Sequence, residues 1–401
     1  MERQNDVVVV GAGIAGLACA ALLGRAGRSV TLLEAGAEPG GLARTRAKDG
    51  FLFNRGAHAL YRGGAAQAVL SSLGIEPVGR PPSLGGVAFY QGQRHRLPTT
   101  PWGMLTTGLL SLRGRGATLK TFARLPRIQP GPGSAAAWLE EITPDASARA
   151  FLASMLRLST YSGDLGKISA AAAADALRQA SQHGVVYLDG GWQQLVTRLV
   201  ESCAAAGVEI VCRAPVEQVV AGQVTLRDGT RLDAEEVVLA VAPSVARRWV
   251  DVPELGHAQV ACLDVALRER PKGPGLAFDL DDPMYLSVHS DTAALGPKGG
   301  AVVHTLHYGA PDDARKRLEG LLDRTLAGWR DDCVHAQFLP KITVTEGIVP
   351  PQGRRPGVRV QGIWRVGDAV GEHGALADAA FGSAQEVARA IVDSAAGGRA
   401  A

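Results

Sequence analysis

Residues 7–16 read VVVVGAGIAG, and this stretch limits the fold more than any other. Four consecutive valines form a strand buried on both faces, because β-branched side chains suit a pleated surface and no polar alternation marks a solvent side. The strand enters a G-x-G-x-x-G turn. Gly11 permits the sharp turn, Gly13 leaves room for backbone to approach a pyrophosphate, and Gly16 lets the next helix pack against the strand. That helix is expected over Ile14 to Arg25, its N-terminal amides and positive dipole end turned to the phosphates. A second strand, SVTLLEA, ends at Glu34, 18 residues after Gly16. A carboxylate there can accept hydrogen bonds from both ribose hydroxyls and would repel a 2′-phosphate. A chain with 50 glycines also yields this spacing by chance, so an ordinary βαβ unit with a solvated glutamate is the competing reading. The strand before, the helix after and the acid beyond favour a bound dinucleotide.

Two further segments choose among dinucleotides. EAGAEPGGLARTR adds Gly40, Gly41 and Arg44 after Glu34. A plain NAD-binding unit needs no second glycine pair, whereas a site for extended FAD uses one, with an arginine able to neutralise pyrophosphate or a flavin carbonyl. Near the other end, GIWRVGDAVGEHGALADAAFGSAQEVARAI reads as a strand ending at Gly367–Asp368, a loop and a long helix. An aspartate at that strand end can hold a ribityl hydroxyl. The helix N-terminus can stabilise negative charge at the flavin N1–O2 edge.

These two segments resemble the flavin amine oxidase / protoporphyrinogen oxidase / phytoene desaturase superfamily. FNRGAHALY, DGGWQQLVTRLVESCAAAGVEIVCRAPVEQVV and AEEVVLAVAPSVA are similar to its middle motifs, and LDVALRER and YLSVHSDTAALGPKGG lean towards the phytoene-desaturase branch. The resemblance implies that the phosphate turn binds FAD noncovalently through Gly11, Gly13, Ile14, Ala15 and Gly16. It adds Glu34, Ala35, Gly40, Gly41, Leu42, Ala43 and Arg44 from the second glycine pair. Gly56, Ala57 and His58 would lie near the flavin, Val216 against the adenine, and Ala242, Gly367, Asp368 and Ala377 along the cofactor. Some family features are missing. No lysine sits within VACLDVALRER, no paired aromatic cage or flavin-attachment cysteine motif is evident, and ADAAFGSA replaces the usual small-Ser-Gly pattern of the last helix.

The expected fold class is α/β: a discontinuous Rossmann-type FAD-binding domain from 1–80, 184–248 and 340–401, and a second α+β substrate domain from 81–183 and 249–339. A chain of 401 residues favours two domains over one core. The second domain should hold an antiparallel sheet, built from QVACLDVALRE, GLAFDL and GAVVHTLHY and a VAFYQGQRHRLP hairpin turning at Gln91-Gly92, under a helical cap. Net charge +3 and the lack of nucleic-acid motifs exclude a nucleic-acid partner, and no metal ligand set is expected. Five scattered cysteines without a CxxC pair argue for reduced thiols, hence a cytoplasmic setting, and against a disulfide reductase. No apolar run is long enough to span a membrane, and the chain enters a strand too early for a signal peptide.

From Pro77 to Leu139 there is no acidic residue, while Arg80, Arg94, Arg96, Arg113, Arg115, Lys120, Arg124 and Arg127 are interleaved with Trp102, Leu105, Leu109, Leu110 and Leu112. Residues 96–127 are therefore a candidate for peripheral contact with an anionic membrane. A cap whose apolar side faces the core and whose arginines face water is the favoured reading of the pattern, and an anionic substrate gripped by some of these arginines is a third.

Flavin chemistry asks little of side chains beyond a dry pocket and a proton acceptor. His58 and His373 are the candidate catalytic bases, with loop roles as the alternative. Tyr61, His304, His307 and Tyr308 are candidate pocket residues from the cap sheet. Asp378 reads as a helix-start or backbone contact. A second G-x-G-x-x-G unit is absent, so electrons should pass from flavin to oxygen, a quinone or a protein. The expected function is FAD-dependent dehydrogenation (desaturation) of a largely apolar organic substrate by hydride transfer to flavin N5. An amine or protoporphyrinogen-type oxidase, and a non-redox or non-catalytic flavin protein, are the alternatives.

Overall fold

The computed structural model describes residues 5–83, 85–371 and 374–398. The valine run forms the strand Asn5–Val10 at the centre of an eight-stranded sheet. It lies parallel to Val30–Leu33 on one side and to Arg231–Leu239 on the other. Glu209–Val211 extends one flank in parallel, and Ile363–Arg365 pairs in parallel with the end of Arg231–Leu239. An antiparallel meander, Val216–Val220 and Gln223–Leu226, completes the other flank. Val7 to Val9 are fully buried because helices cover one face and the meander side packs the other. The helix Ile14–Arg25 forms at the expected boundaries and packs against Gln193–Ala205 and the long last helix, Leu376–Gly398.

A second, seven-stranded sheet runs in the order Cys333–Ile348, Gly256–Leu267, Ala301–Tyr308, Met284–Val288, Leu276–Asp279, Val87–Tyr90, Gln93–Arg96. The hairpin Val87–Arg96 turns at Gln91 and Gly92, both at positive φ (53° and 71°), as a type I′ turn requires. The expected antiparallel sheet needs one amendment, because Leu276–Asp279 pairs with Val87–Tyr90 in parallel. That pairing joins strands more than 180 positions apart into one sheet, which no local pattern reveals.

The placement of the boundary at 340 is also corrected. Residues 340–348 continue the strand Cys333–Ile348, paired with Gly256–Leu267 to its end, so they belong to the second sheet. Pro340 lies within this strand. It is tolerated because this is an edge strand and the register shifts there, with Val260 opposite Ile342 but Cys262 opposite Leu339; a bulge on an edge is where a residue without an N–H fits.

The helix Ala314–Thr325 covers one face of this sheet, burying Leu318, Leu321 and Leu322 against Leu263, Val265 and Val303. Helices between Pro101 and His183 cover part of the other. Four of them are N-capped by side chains: Thr100, Ser111, Ser134 and Asp145 each accept a bond from a first-turn amide. No helix among the described residues is long and apolar enough to cross a membrane.

Candidate functional site

The helix Ile14–Arg25 contrasts with the capped helices of the second domain. Its N-cap is Gly13, with no side-chain cap and no acidic residue in the first turn. Its leading amides are therefore left for something outside the chain. The three glycines of the turn do different work. Gly11 adopts φ +106°, and a Cβ there would lie 2.5 Å from the Ala240 carbonyl oxygen. A Cβ on Gly16 would lie 1.9 Å from the Gly11 oxygen. Both positions are closed by backbone. A Cβ on Gly13 would meet nothing within 4 Å. Open space in front of an uncapped helix is the shape and polarity a pyrophosphate needs, so the residues present fit a dinucleotide.

Glu34 stands at the rim of that space. Its Oε2 accepts from Ala12 N at 3.0 Å and its Oε1 from Gly36 N at 2.7 Å. Two backbone donors aim the carboxylate and leave lone pairs on both oxygens for hydroxyl donors. The second glycine pair folds back on the first turn: Gly40 N donates to Ala12 O at 2.7 Å and Gly40 bridges Gly13. Ala35, Gly41 and Leu42 are exposed beside it and Ala43 is buried. Arg44 pairs with the Glu38 carboxylate.

At the far end, Gly367 leaves open space on its Cα, and its N–H donates to Ser383 Oγ at 2.9 Å. Ser383 thus ties the last helix to the strand end despite the altered motif. Burial pushes the Asp368 carboxyl up, opposed by a hydrogen bond from Thr345. Asp378 is buried and accepts from Ala66 N at 2.8 Å, which makes it a backbone contact at a neighbouring helix start. Ala377 is half-buried beside it, Val216 is half-buried on its strand, and Ala242 is the exposed N-cap of Pro243–Ala246. His373 lies outside the described residues.

Gly56, Ala57 and His58 meet the second sheet. A Cβ on Gly56 (φ +87°) would lie 3.1 Å from Cys262 Sγ. Tyr161 OH donates to Ala57 O at 2.8 Å. His58 Nδ1 lies 2.9 Å from Gly56 O, and because a carbonyl only accepts, Nδ1 carries the hydrogen and Nε2 is left as an acceptor. Burial, chiefly, and the nearby His304 hold His58 below the usual histidine range, so the neutral base predominates at neutral pH. Its ring stands edge-on to Trp192 at 5.1 Å.

The wall facing this segment is apolar. Val260, Cys262, Leu306, Tyr285 and Tyr308 from the sheet pack with Leu97, Met104, Leu109, Leu110 and Phe151 from the cap, and Ala57 borders the cluster. Strand alternation separates two of the candidate histidines. His304 shares a face with Leu306 and Tyr308, whereas His307 points to the other face and bonds Asp282 at 2.8 Å. His307 is a structural contact there, not a pocket residue. Tyr61 donates to Ser159 O at 3.2 Å. Sequence reasoning missed Asp264, fully buried at 2.8 Å from His304 Nδ1. The available signal was an acid in the midst of the apolar run VACLDVAL.

A family model described as flavin containing amine oxidoreductase matches residues 14–263. All-trans-retinol 13,14-reductase of Homo sapiens is 46% identical over 62 residues, 16% of this chain and 10% of that protein. The match thus spans about a tenth of the length of that curated relative. Among solved structures, an oxidoreductase from Methanosarcina mazei superposes with TM-score 0.75 at 19% identity, covering 95% of this chain and 99% of the other. Wild-type putrescine oxidase bound to putrescine superposes with TM-score 0.73 at 19% identity, covering 98% and 100%.

Proposed function

The chain belongs to the family of flavin containing amine oxidoreductases, and from that premise we propose that it binds FAD noncovalently and dehydrogenates a largely apolar organic substrate. The observation that carries the substrate class is the apolar wall over Ala57, made by Leu97, Met104, Leu109 and Leu110 against Val260, Leu306 and Tyr308. Such a wall excludes water and, apart from the Tyr308 hydroxyl, which is unpartnered among the described residues, offers no partner to a polar or charged substrate. A relative named for reduction of all-trans-retinol supports a polyene-like compound.

FAD, when bound, supplies the hydride acceptor. The protein supplies the rest. The amides at Ile14 and Ala15 and the dipole of their helix hold the pyrophosphate; Glu34 accepts from the ribose; Asp368 meets the ribityl chain. His58 offers Nε2 as the proton acceptor in a dry site. Reduced thiols, with five free cysteines, suit a cytoplasmic protein, and electrons leave to oxygen, a quinone or a protein.

The same reading puts the protein at a membrane surface through 96–127. Trp102, Leu105 and Leu112 are 74%, 49% and 81% exposed. Arg94, Arg96, Arg113, Lys120, Arg124 and Arg127 are exposed around them, and none meets a carboxylate among the described residues. The inner side of the same segment builds the apolar wall through Met104, Leu109 and Leu110. A lipid-dissolved substrate would thus meet the site without crossing bulk water.

The test is the visible spectrum of the purified protein, acid release of the flavin, and anaerobic bleaching by polyenes, amines and porphyrinogens in turn. Flavin that is released by acid and bleached by a polyene is the expected result. Bleaching by amines alone makes the protein an amine oxidase; bleaching by porphyrinogens alone makes it a protoporphyrinogen-type oxidase. Flavin that no substrate bleaches keeps the cofactor, counts against the dehydrogenase reading and favours a non-redox or non-catalytic role. Protein without flavin refutes the whole reading.

A further inference from the structure

The helix Ala146–Thr160 carries Arg149, Ala153 and Arg157 at four-residue spacing, so one face presents two guanidiniums with a small side chain between them. That face is one wall of an open trough of about 470 Å³. Ala136, Leu139 and Glu140 of the helix Ala135–Ile142, with the turn 163–166, form the other. Both arginines are half-buried. Arg149 Nη1 donates to Thr143 O at 3.2 Å, and Arg157 Nε donates to Gly163 O at 3.4 Å. Among the described residues neither guanidinium makes another bond, and neither meets a carboxylate. The acids of the trough are placed otherwise. Asp164 accepts from Gly166 N at 2.9 Å and pairs with Lys167 at 3.5 Å, and Glu140 is exposed. With Lys167 counted, the groups around the trough leave one net positive charge.

A guanidinium offers five donors in a planar fork that matches a carboxylate. Each of these two spends one donor on a backbone carbonyl and keeps the rest. Burial opposes the charge on Arg157, a cost that a bound anion offsets. The trough is also continuous with the apolar wall. Leu280 lines the trough and packs into the wall. A Cβ on Gly163 would lie 2.9 Å from Gly309 N and 3.1 Å from the Tyr308 carbonyl carbon, so the turn of the trough is pressed against the strand end that carries Tyr308. Arg157 stands one helical turn, about 6 Å along the axis, before Tyr161. Tyr161 in turn donates to Ala57 O at 2.8 Å.

We propose that this trough is a carboxylate subsite and that the substrate is an elongated apolar acid. The inference rests on the dehydrogenase reading above and narrows its substrate class. The carboxylate sits between Arg157 and Arg149, and the hydrocarbon passes Leu280 into the wall over Ala57. Charge then stays outside the wall, where two guanidiniums and water solvate it, while the apolar chain lies in the dry region. Fixing one end of the substrate also selects which of its carbons lies over Ala57. Arg149 and Arg157 hold the end of the substrate and take no part in the bond changes.

The experiment titrates the FAD-loaded protein at neutral pH with parinaric acid, a fluorescent conjugated tetraene with a carboxylate end, and with its methyl ester. The two probes share one hydrocarbon and differ in the charged end. Wild type should bind the acid about 10–100-fold more tightly than the ester, the effect of one or two charge-assisted bonds. Arg157→Gln keeps a polar stem without the charge; it should bring the acid down towards the ester and leave ester binding unchanged. Arg157→Lys should restore part of the preference. Equal affinity of wild type for acid and ester overturns the subsite, and that comparison needs no variant to fold. A preference for the acid that survives intact in Arg157→Gln overturns it too. Ester binding without acid preference leaves the apolar-substrate reading standing, whereas binding of neither probe overturns both.

Discussion

Gly13→Ala separates folding from cofactor binding more cleanly than any other substitution in this chain. Gly13 has φ −71° and ψ 177°, extended backbone that alanine adopts freely, and its added methyl meets nothing within 4 Å. The only cost to the free protein is a poorer N-cap, about 0.5–1 kcal/mol. In a chain of 401 residues that lowers Tm by about 1 °C. The methyl does fill the space where the pyrophosphate should sit. Losing one or two charge-assisted bonds from the helix amides, at about 1.5–3 kcal/mol each, weakens FAD binding by roughly 10–10⁴-fold. Gly16→Ala is the control. Its methyl would lie 1.9 Å from the Gly11 oxygen, where 3.4 Å is ordinary contact, so the helix must retreat by 1.5 Å (3.4 − 1.9). That overpacking costs about 3 kcal/mol and should lower the Tm of the flavin-free protein by roughly 3–4 °C. The assay is calorimetry of both flavin-free variants and a fluorescence titration with FAD. Wild-type FAD affinity in Gly13→Ala, or a flavin-free Tm as low as that of Gly16→Ala, refutes the assignment of this space to the phosphates.

Other expectations are as direct. Glu34→Ala should weaken FAD binding by about 10–100-fold while the protein still folds, since one or two bonds to a charged acceptor are lost; unchanged affinity in the same titration means the ribose is held elsewhere. Trp102→Ala/Leu105→Ala/Leu112→Ala should keep the wild-type Tm, because all three side chains are exposed, and should lose co-sedimentation with phosphatidylglycerol vesicles. Wild type should bind those vesicles at low salt and release them as ionic strength rises, and wild type that never sediments excludes the membrane contact. Stability should fall on acidification. Burial holds His289 well below the usual histidine range, so below about pH 6.5 the unfolded chain binds a proton that the folded chain refuses. This costs up to about 1.4 kcal/mol per pH unit as pH falls and vanishes above that range. Urea denaturation of wild type and His289→Phe between about pH 5 and 8 checks the sign, and a wild type that loses no more stability from pH 8 to pH 5 than the variant does contradicts it.

Much of the cofactor half was legible because its signals are local. A valine run, a glycine turn and a helix lie within 25 residues, and their geometry follows from dihedral preference and burial alone. Glu34 needs only the next strand, and the Gln91-Gly92 turn needs only its own positive φ. Where sequence reasoning stopped, the cause was long-range pairing. The bound expected at residue 340 falls inside the edge strand Cys333–Ile348, whose pairing with Gly256–Leu267 lies far away in sequence. His304 and His307 are three positions apart and look interchangeable, yet strand alternation turns one towards Asp264 and the other towards Asp282. Residues 96–127 show amphipathic composition, but only packing decides that Met104, Leu109 and Leu110 turn inward and Trp102, Leu105 and Leu112 outward. The sequence by itself determined that a strand, a tight glycine turn and a helix would form, and with which residues. Tertiary structure decided which buried charge found a partner, because register between strands 40 positions apart is set by the whole sheet and by no segment within it.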